Sequence, residues 1–213
     1  MDYSASQEQA VLTYEASDMI LSVHSDASYL SKSKARSRAG GNFFMSKDVY
    51  FPPNNGAVLN IAQIMKTVMY SAAEAEIVAI YVNAREAVPA RKILDEMGHR
   101  QPRTPMQTDN SAAHSVVTNN VQPKRKKAMD MNFYWLQCRH MQGQLQYYCR
   151  PGSQNWDDYW TNHFPEFHHI NIGPEFLTPA RHLKDLKRRQ MKSVHAVELS
   201  QVTADSSPAM RVC

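Results

Sequence analysis

Apolar and polar positions alternate along the first third of the chain in a way that predicts strands. Residues 19–25 (MILSVHS) give a first strand ending at Asp26. A basic turn, Lys32 to Gly41, leads through Gly40-Gly41 into a second strand, Asn42 to Ser46. The loop Pro52-Pro53-Asn54-Asn55-Gly56 carries strong turn chemistry, and Ala57 to Ile64 follows as a third strand. Three strands joined by turns predict an antiparallel meander. Ser71-Ala72-Ala73-Glu74 then reads as a capping box, and Ile77, Ile80, Tyr81, Ala84 and Val88 form an apolar stripe at helical spacing. Pro89 is expected to kink or end this helix, with further turns to Gly98. Met106 to Thr108 predicts a fourth strand, Asn110-Ser111 the start of a short helix, and Lys124 to Gln142 another helix. Leu145 to Cys149 reads as a fifth strand, Pro151-Gly152 as a turn, and Asp157 to His163 as a last short helix. The order predicts an α/β fold: a mixed sheet with the first strand central and helices packed on it.

Composition narrows the class. The 213 residues suffice for one domain with tails, and 43% hydrophobic content calls for a core. A net charge of +4 is compatible with nucleic acid without requiring it. Three cysteines without a CxxC pair argue against a disulfide framework and fit a reducing, intracellular compartment. No apolar run is long enough to span a membrane, and the N-terminus lacks the pattern of a secretory signal. From about Leu177 the chain is basic and polar, and a loosely ordered tail is expected there.

Four acids fall at strand ends or helix starts: Asp26, Glu76, Asp109 and Asp158. A buried acid is costly unless it is paired or bound. Mg²⁺ takes oxygen ligands, and two such ions about 4 Å apart activate water and stabilise the leaving oxygen of a phosphodiester. That chemistry needs carboxylates from several elements to converge, which spacing alone does not establish. Each acid also has a plainer role. Asp26 can end a strand as a turn residue, and Asp109, Asp157 and Asp158 can cap helices. Glu74 and Glu76 flank the apolar stripe equally on a helical wheel; the capping box occupies Glu74 and leaves Glu76 free. His163, His168 and His169 have no cysteine partner and no HxxxH pair, so local packing is expected rather than zinc. Lys124, Arg125, Lys126 and Lys127 fit a phosphate grip and a solvated helix start about equally well.

Six motifs, in order, carry a family resemblance: HSDASY (His24 to Tyr29), KARSRAGGNFF (Lys34 to Phe44), SAAEAE (Ser71 to Glu76), QTDNSAA (Gln107 to Ala113), KAMDMNFYWL (Lys127 to Leu136) and PGSQNWDDYWTNHFP (Pro151 to Pro165). With them the chain resembles the ribonuclease H domain of copia-type LTR retrotransposon polyproteins, which follows the reverse transcriptase. The resemblance implies a ribonuclease H-like fold, a five-stranded mixed sheet whose first three strands are antiparallel. It implies a segment at residues 1–17 like the junction after the polymerase, a domain over 18–178, and a basic, disordered tail over 179–213. The implied activity is endonucleolytic cleavage of the RNA strand of RNA–DNA hybrids. The implied cofactors are two Mg²⁺ ions, with Mn²⁺ as a substitute. Asp26 would bridge both ions, with Glu76 and Asp109 on the leaving-group side and Asp158 on the water side. Ser25, Ser28, Asn110 and Ser111 are expected to contact backbone or 2′-hydroxyl groups. A reverse transcriptase domain is an implied partner. The chain departs from the family pattern at Ala128, where many members have histidine, and at Asn162, where lysine is common. A remnant that folds or binds nucleic acid without cleaving is the competing reading. An integrase-type nuclease fits less well, because it expects its glutamate last rather than second.

Overall fold

The structure is a computed structural model that describes residues 11–118, 127–152, 155 and 157–177. In chain order the elements are β1 (Ile20–Lys32), β2 (Arg36–Ser46), β3 (Ala57–Ile64), α1 (Ala72–Glu96), β4 (Thr104–Thr108), α2 (Ser111–Val117), α3 (Lys127–Met141), β5 (Leu145–Cys149), α4 (Asp158–Thr161) and α5 (Glu166–Leu177). They form one five-stranded sheet in the order β3-β2-β1-β4-β5. The first three strands pair antiparallel, while β4 runs parallel to β1 and β5 parallel to β4. The central position of β1 and the leading meander match the expectation from the sequence.

The first hairpin is longer than its sequence predicts. β1 does not end at Asp26, and β2 does not wait for Asn42. The ladder continues through Asp26 opposite Gly40 and Ser28 opposite Arg38, as far as Lys32 opposite Arg36. Small residues account for this: Ser28, Ser37 and Ala39 are buried in the extended ladder, and the charged residues alternate with them. The turn shrinks to Ser33–Ala35, where Lys34 and Ala35 take positive φ of 61° and 51°.

Helix α1 also runs on, through Pro89 to Glu96. Pro89 sits on the exposed side, while Ala87 and Leu94 continue the buried stripe and keep the helix against the sheet. The helix stops in a Schellman motif. Gly98, at φ 91°, donates from its N–H to Asp95, and His99 donates to the Leu94 carbonyl. Helix α5 follows where the sequence reading placed no element; Phe176 packs on Tyr159 and Trp160, with ring centroids 4.9 and 5.4 Å apart. Lys124, Arg125 and Lys126 lie outside the described residues.

The two faces of the sheet differ. Leu21, Val23, Phe43, Met106 and Tyr147 bury against Ile77, Ile80, Ala84 and Ala87 of α1, with Val117 and Leu136 closing the side. Each such large side chain contributes about 1.5–3 kcal/mol by leaving water. The opposite face is polar yet covered. His24, Asp26, Asn42, Gln107 and Tyr148 are buried there, under α4 and the aromatic pair Tyr50 and Phe51.

Candidate metal centre

Parallel pairing of β1 and β4 fixes the first two acids. His24 stands opposite Gln107 in that register. Asp26 and Asp109 each lie two residues further in the same direction, so they are level on neighbouring strands, about 4.8 Å apart in the pairing direction. Asp109 has no capping duty, because the side chain of Asn110 accepts from the Ala113 N–H at 3.0 Å and caps α2 instead.

The third acid comes from the start of α1. Ser71 accepts from the Glu74 N–H at 3.2 Å, and Glu74 reaches back to the Tyr70 N–H at 2.7 Å. The box therefore closes one residue earlier than the usual reciprocal pair, and Glu74 is spent on it. Glu76, two residues on, points at the sheet. Its Oε1 accepts from the Ala27 N–H at 3.0 Å, which ties it beside Asp26. Its Oε2 is buried without a hydrogen-bond partner. One ligand oxygen from each of Asp26, Glu76 and Asp109 lies within 4.8 Å of the others.

Three carboxyl groups this close resist ionising together. Burial pushes the Glu76 carboxyl up to about 9, with the charges of Asp26 and Asp109 adding to it. Burial likewise raises Asp26 to about 6, against the hydroxyl of Thr161, while Asp109 and Asp158 push it further up. Asp109 is raised as well, chiefly by burial. An all-oxygen donor set, one orphaned buried carboxylate oxygen and mutual repulsion together fit a hard divalent cation.

Asp158, the first residue of α4, is half-buried and lies outside this trio, with Oδ1 accepting from the Asn162 amide. Its charge still acts on Asp26 and Asp109. Its neighbour Asp157 is wholly buried and accepts from the Asn42 N–H at 3.2 Å. Burial and the charge of Asp26 push Asp157 well above the usual carboxyl range.

Two residues not singled out in the sequence hold Asp26 in place. The Thr161 hydroxyl donates to Asp26 Oδ2. Asn155 donates from its amide to Asp26 Oδ1 and to the Ser25 carbonyl, both at 3.3 Å. Asn155 and Thr161 flank Asp158 three residues to either side, and that spacing was the one available signal. α4 reaches the sheet because Gly40 has no side chain: a Cβ there would stand 2.7 Å from Thr161 Cγ2. On the other face a Cβ on Gly41 would meet Asn83 Oδ1 at 2.1 Å. Asn83 bonds Ser25 Oγ at 2.9 Å and the Gly40 carbonyl at 2.7 Å, locking α1 to the strands that carry Asp26.

The remaining candidates are dispersed. Ser25 is fully buried with its hydroxyl on Asn83. Ser28 is nearly buried and pairs with Ser31 at 2.5 Å. Asn110 is half-buried as the cap of α2, and Ser111 is exposed. His168 stacks on Phe164 with centroids 3.9 Å apart, and His169 bonds the Tyr159 hydroxyl at 2.9 Å, so both serve local packing. His24 is held neutral, its imidazole pushed down to about 3 by burial and the charge of Arg150.

No protein-family profile matches the chain, and no curated protein sequence does. Solved structures match by shape. Ribonuclease H1 LC11, isolated from compost by a metagenomic approach, superposes with a TM-score of 0.51 and 11% identity, over 68% of this chain and 94% of that one. The same enzyme in complex with an RNA/DNA hybrid gives a TM-score of 0.49 and 12% identity, over 67% of this chain and 94% of that one. The N-terminal ribonuclease H domain of rv2228c from Mycobacterium tuberculosis gives 0.48 and 11%, over 74% of this chain and 97% of that one. The fold is ribonuclease H-like.

Proposed function

We propose that this protein is a metal-dependent endoribonuclease that cleaves the RNA strand of RNA–DNA hybrids, as the ribonuclease H domain of a copia-type LTR retrotransposon polyprotein. The observation that carries the activity is the convergence of Asp26, Glu76 and Asp109 from three elements into one partly buried oxygen cluster. The retrotransposon assignment rests on the ordered motifs from HSDASY to PGSQNWDDYWTNHFP.

Asp26, Glu76, Asp109 and Asp158 would hold two Mg²⁺ ions, or Mn²⁺ in their place. When bound, the cations supply activation of water and charge stabilisation at the leaving oxygen. The chain itself supplies position. Thr161 and Asn155 fix both oxygens of Asp26, and the Ala27 N–H fixes Glu76. Gly40 lets α4 close over this arrangement. Asp158, at the start of α4, and Asp109 are half-buried, whereas Asp26 and Glu76 are buried. A hybrid would be selected through 2′-hydroxyls and groove shape. Ser28, Asn110 and Ser111 would be the contacts to backbone or 2′-hydroxyl groups, and Lys124 to Lys127 would add phosphate contacts. A reverse transcriptase domain is the natural partner for holding the hybrid.

The test is cleavage of an end-labelled RNA–DNA hybrid by the full chain in Mg²⁺ or Mn²⁺, beside the same sequence as duplex DNA. Cleavage confined to the RNA strand, abolished by EDTA and by Asp26→Asn, is the expected result. Cleavage that survives Asp26→Asn, or a folded protein inert in both metals with a reverse transcriptase added, overturns the proposal.

A further inference from the structure

The β1–β2 hairpin continues beyond Asp26, which belongs to the carboxyl cluster, and its tip is cationic. Lys32, Lys34, Arg36 and Arg38 fall within seven residues of one another. None of them makes a salt bridge among the described residues, although Lys92 and Glu96 pair on α1 at 3.7 Å. Ser28–Arg38 and Lys32–Arg36 are ladder pairs on either side of an irregularity in the register, so the strands stay paired to the tip. The tip therefore carries four positive charges with no salt-bridge partner among the described residues.

Two of these cations meet a third group from another part of the chain. The Lys32 ammonium donates to Nε2 of His163 at 2.6 Å, across 131 residues of sequence. Arg38 is near enough for its charge to act on Lys32. Arg38 also keeps its Nε shielded from solvent without a hydrogen-bond partner. A free lysine is a flexible point charge. Held by an imidazole and set beside an arginine, it becomes a placed one. Bringing like charges together costs energy, which an anion bound among them recovers.

The position matters as much as the charge. Arg38 follows two residues before Gly40, on the face of the sheet that carries Asp26, so the two ladder positions are about 7 Å apart along the strand. His163 follows two residues after Thr161, which bonds Asp26. Both arms of the cationic group therefore lead directly from groups that hold the carboxyl cluster.

We propose that Lys32, Arg38 and His163 form a phosphate-binding site for a backbone phosphodiester of the nucleic acid, next to the position held over the carboxyl cluster. Lys32 and Arg38 supply the charge, and His163 positions Lys32. This rests on the ribonuclease reading above. The site also differs in kind from that cluster, since it needs no divalent cation to bind.

The test is fluorescence anisotropy of a labelled RNA–DNA hybrid with the full chain in EDTA, over a range of salt concentrations. Lys32→Glu is expected to weaken binding about three- to tenfold and to lower the slope of log K against log salt by about one. Lys32→Arg restores most of the affinity, and His163→Ala weakens binding by a smaller factor than Lys32→Glu. Lys92→Glu, on exposed α1 surface, leaves both affinity and slope unchanged. The same titration with each single strand tells which strand supplies the phosphate, because the penalty follows that strand. Wild-type binding with Lys32→Glu indistinguishable in affinity and slope overturns this site and leaves the ribonuclease reading standing. A wild-type chain with no affinity for the hybrid overturns both. Lys32 is half-buried and without a salt-bridge partner among the described residues, so Lys32→Glu is expected to keep the wild-type Tm, which the same samples report.

Discussion

At Asp26 the folded chain holds a charge in a place that disfavours it. The carboxyl is buried among Glu76, Asp109 and Asp158 and is raised to about 6, and Glu76 to about 9. Both acids therefore bind protons in the folded state that the unfolded chain has released above about pH 4. The sign follows from linkage: without cation, stability is undiminished at acid pH and falls as pH rises from about 4 toward 9. In EDTA the wild-type Tm is expected to drop across that range. Asp26→Asn removes one charge and eases Glu76, so the variant is expected to be more stable than wild type at pH 8, by up to about 2–3 kcal/mol. Thermal unfolding of both proteins against pH checks this. A variant less stable than wild type at pH 8 would contradict it. The choice of Glu76 over Glu74 was legible because a capping box is a local, short-range device. Thr161 and Asn155 were not, because their partner Asp26 is 135 and 129 residues away.

Elements explain where the sequence reading stopped short. The first strand was ended too early and the second begun too late because Ser28, Ser37 and Ala39 carry little hydrophobic signal, yet they bury well in an extended ladder. The helix was expected to kink or end at Pro89 before further turns, but the apolar stripe on either side outweighs one missing N–H on an exposed turn. Helix α5 was missed because the aromatic contacts that hold it come from α4, which local pattern does not reveal. The two glycines at the centre of β2 serve opposite faces, one seating α4 and the other seating Asn83. Gly41→Ala forces the Asn83 carboxamide off Ser25 and the Gly40 carbonyl. It is expected to destabilise the protein by about 2–3 kcal/mol, through overpacking and a lost buried bond. Chemical denaturation measures it, and a change under 0.5 kcal/mol would show that Asn83 does not lock α1 to the sheet.

For the whole molecule, chemistry follows from topology. One parallel register sets Asp26 level with Asp109, and one hydrogen bond from Ala27 draws in Glu76. The leading meander and the central place of the first strand were legible from the alternation of residues and from turn signals. The convergence was not, because it depends on the crossover that sets β4 beside β1. The fourth acid, Asp158, stands apart from the trio of ligand oxygens that could hold a cation. The most direct measurement is Mn²⁺ binding to the full chain without nucleic acid, followed by calorimetry and by the loss of free-ion paramagnetic signal. Wild type is expected to bind Mn²⁺ with release of protons from the raised carboxyl groups, and Glu76→Gln and Asp26→Asn to lose that binding. Equal Mn²⁺ affinity in wild type and both variants, or none in wild type at millimolar ion, would contradict the assignment of this cluster as a metal centre.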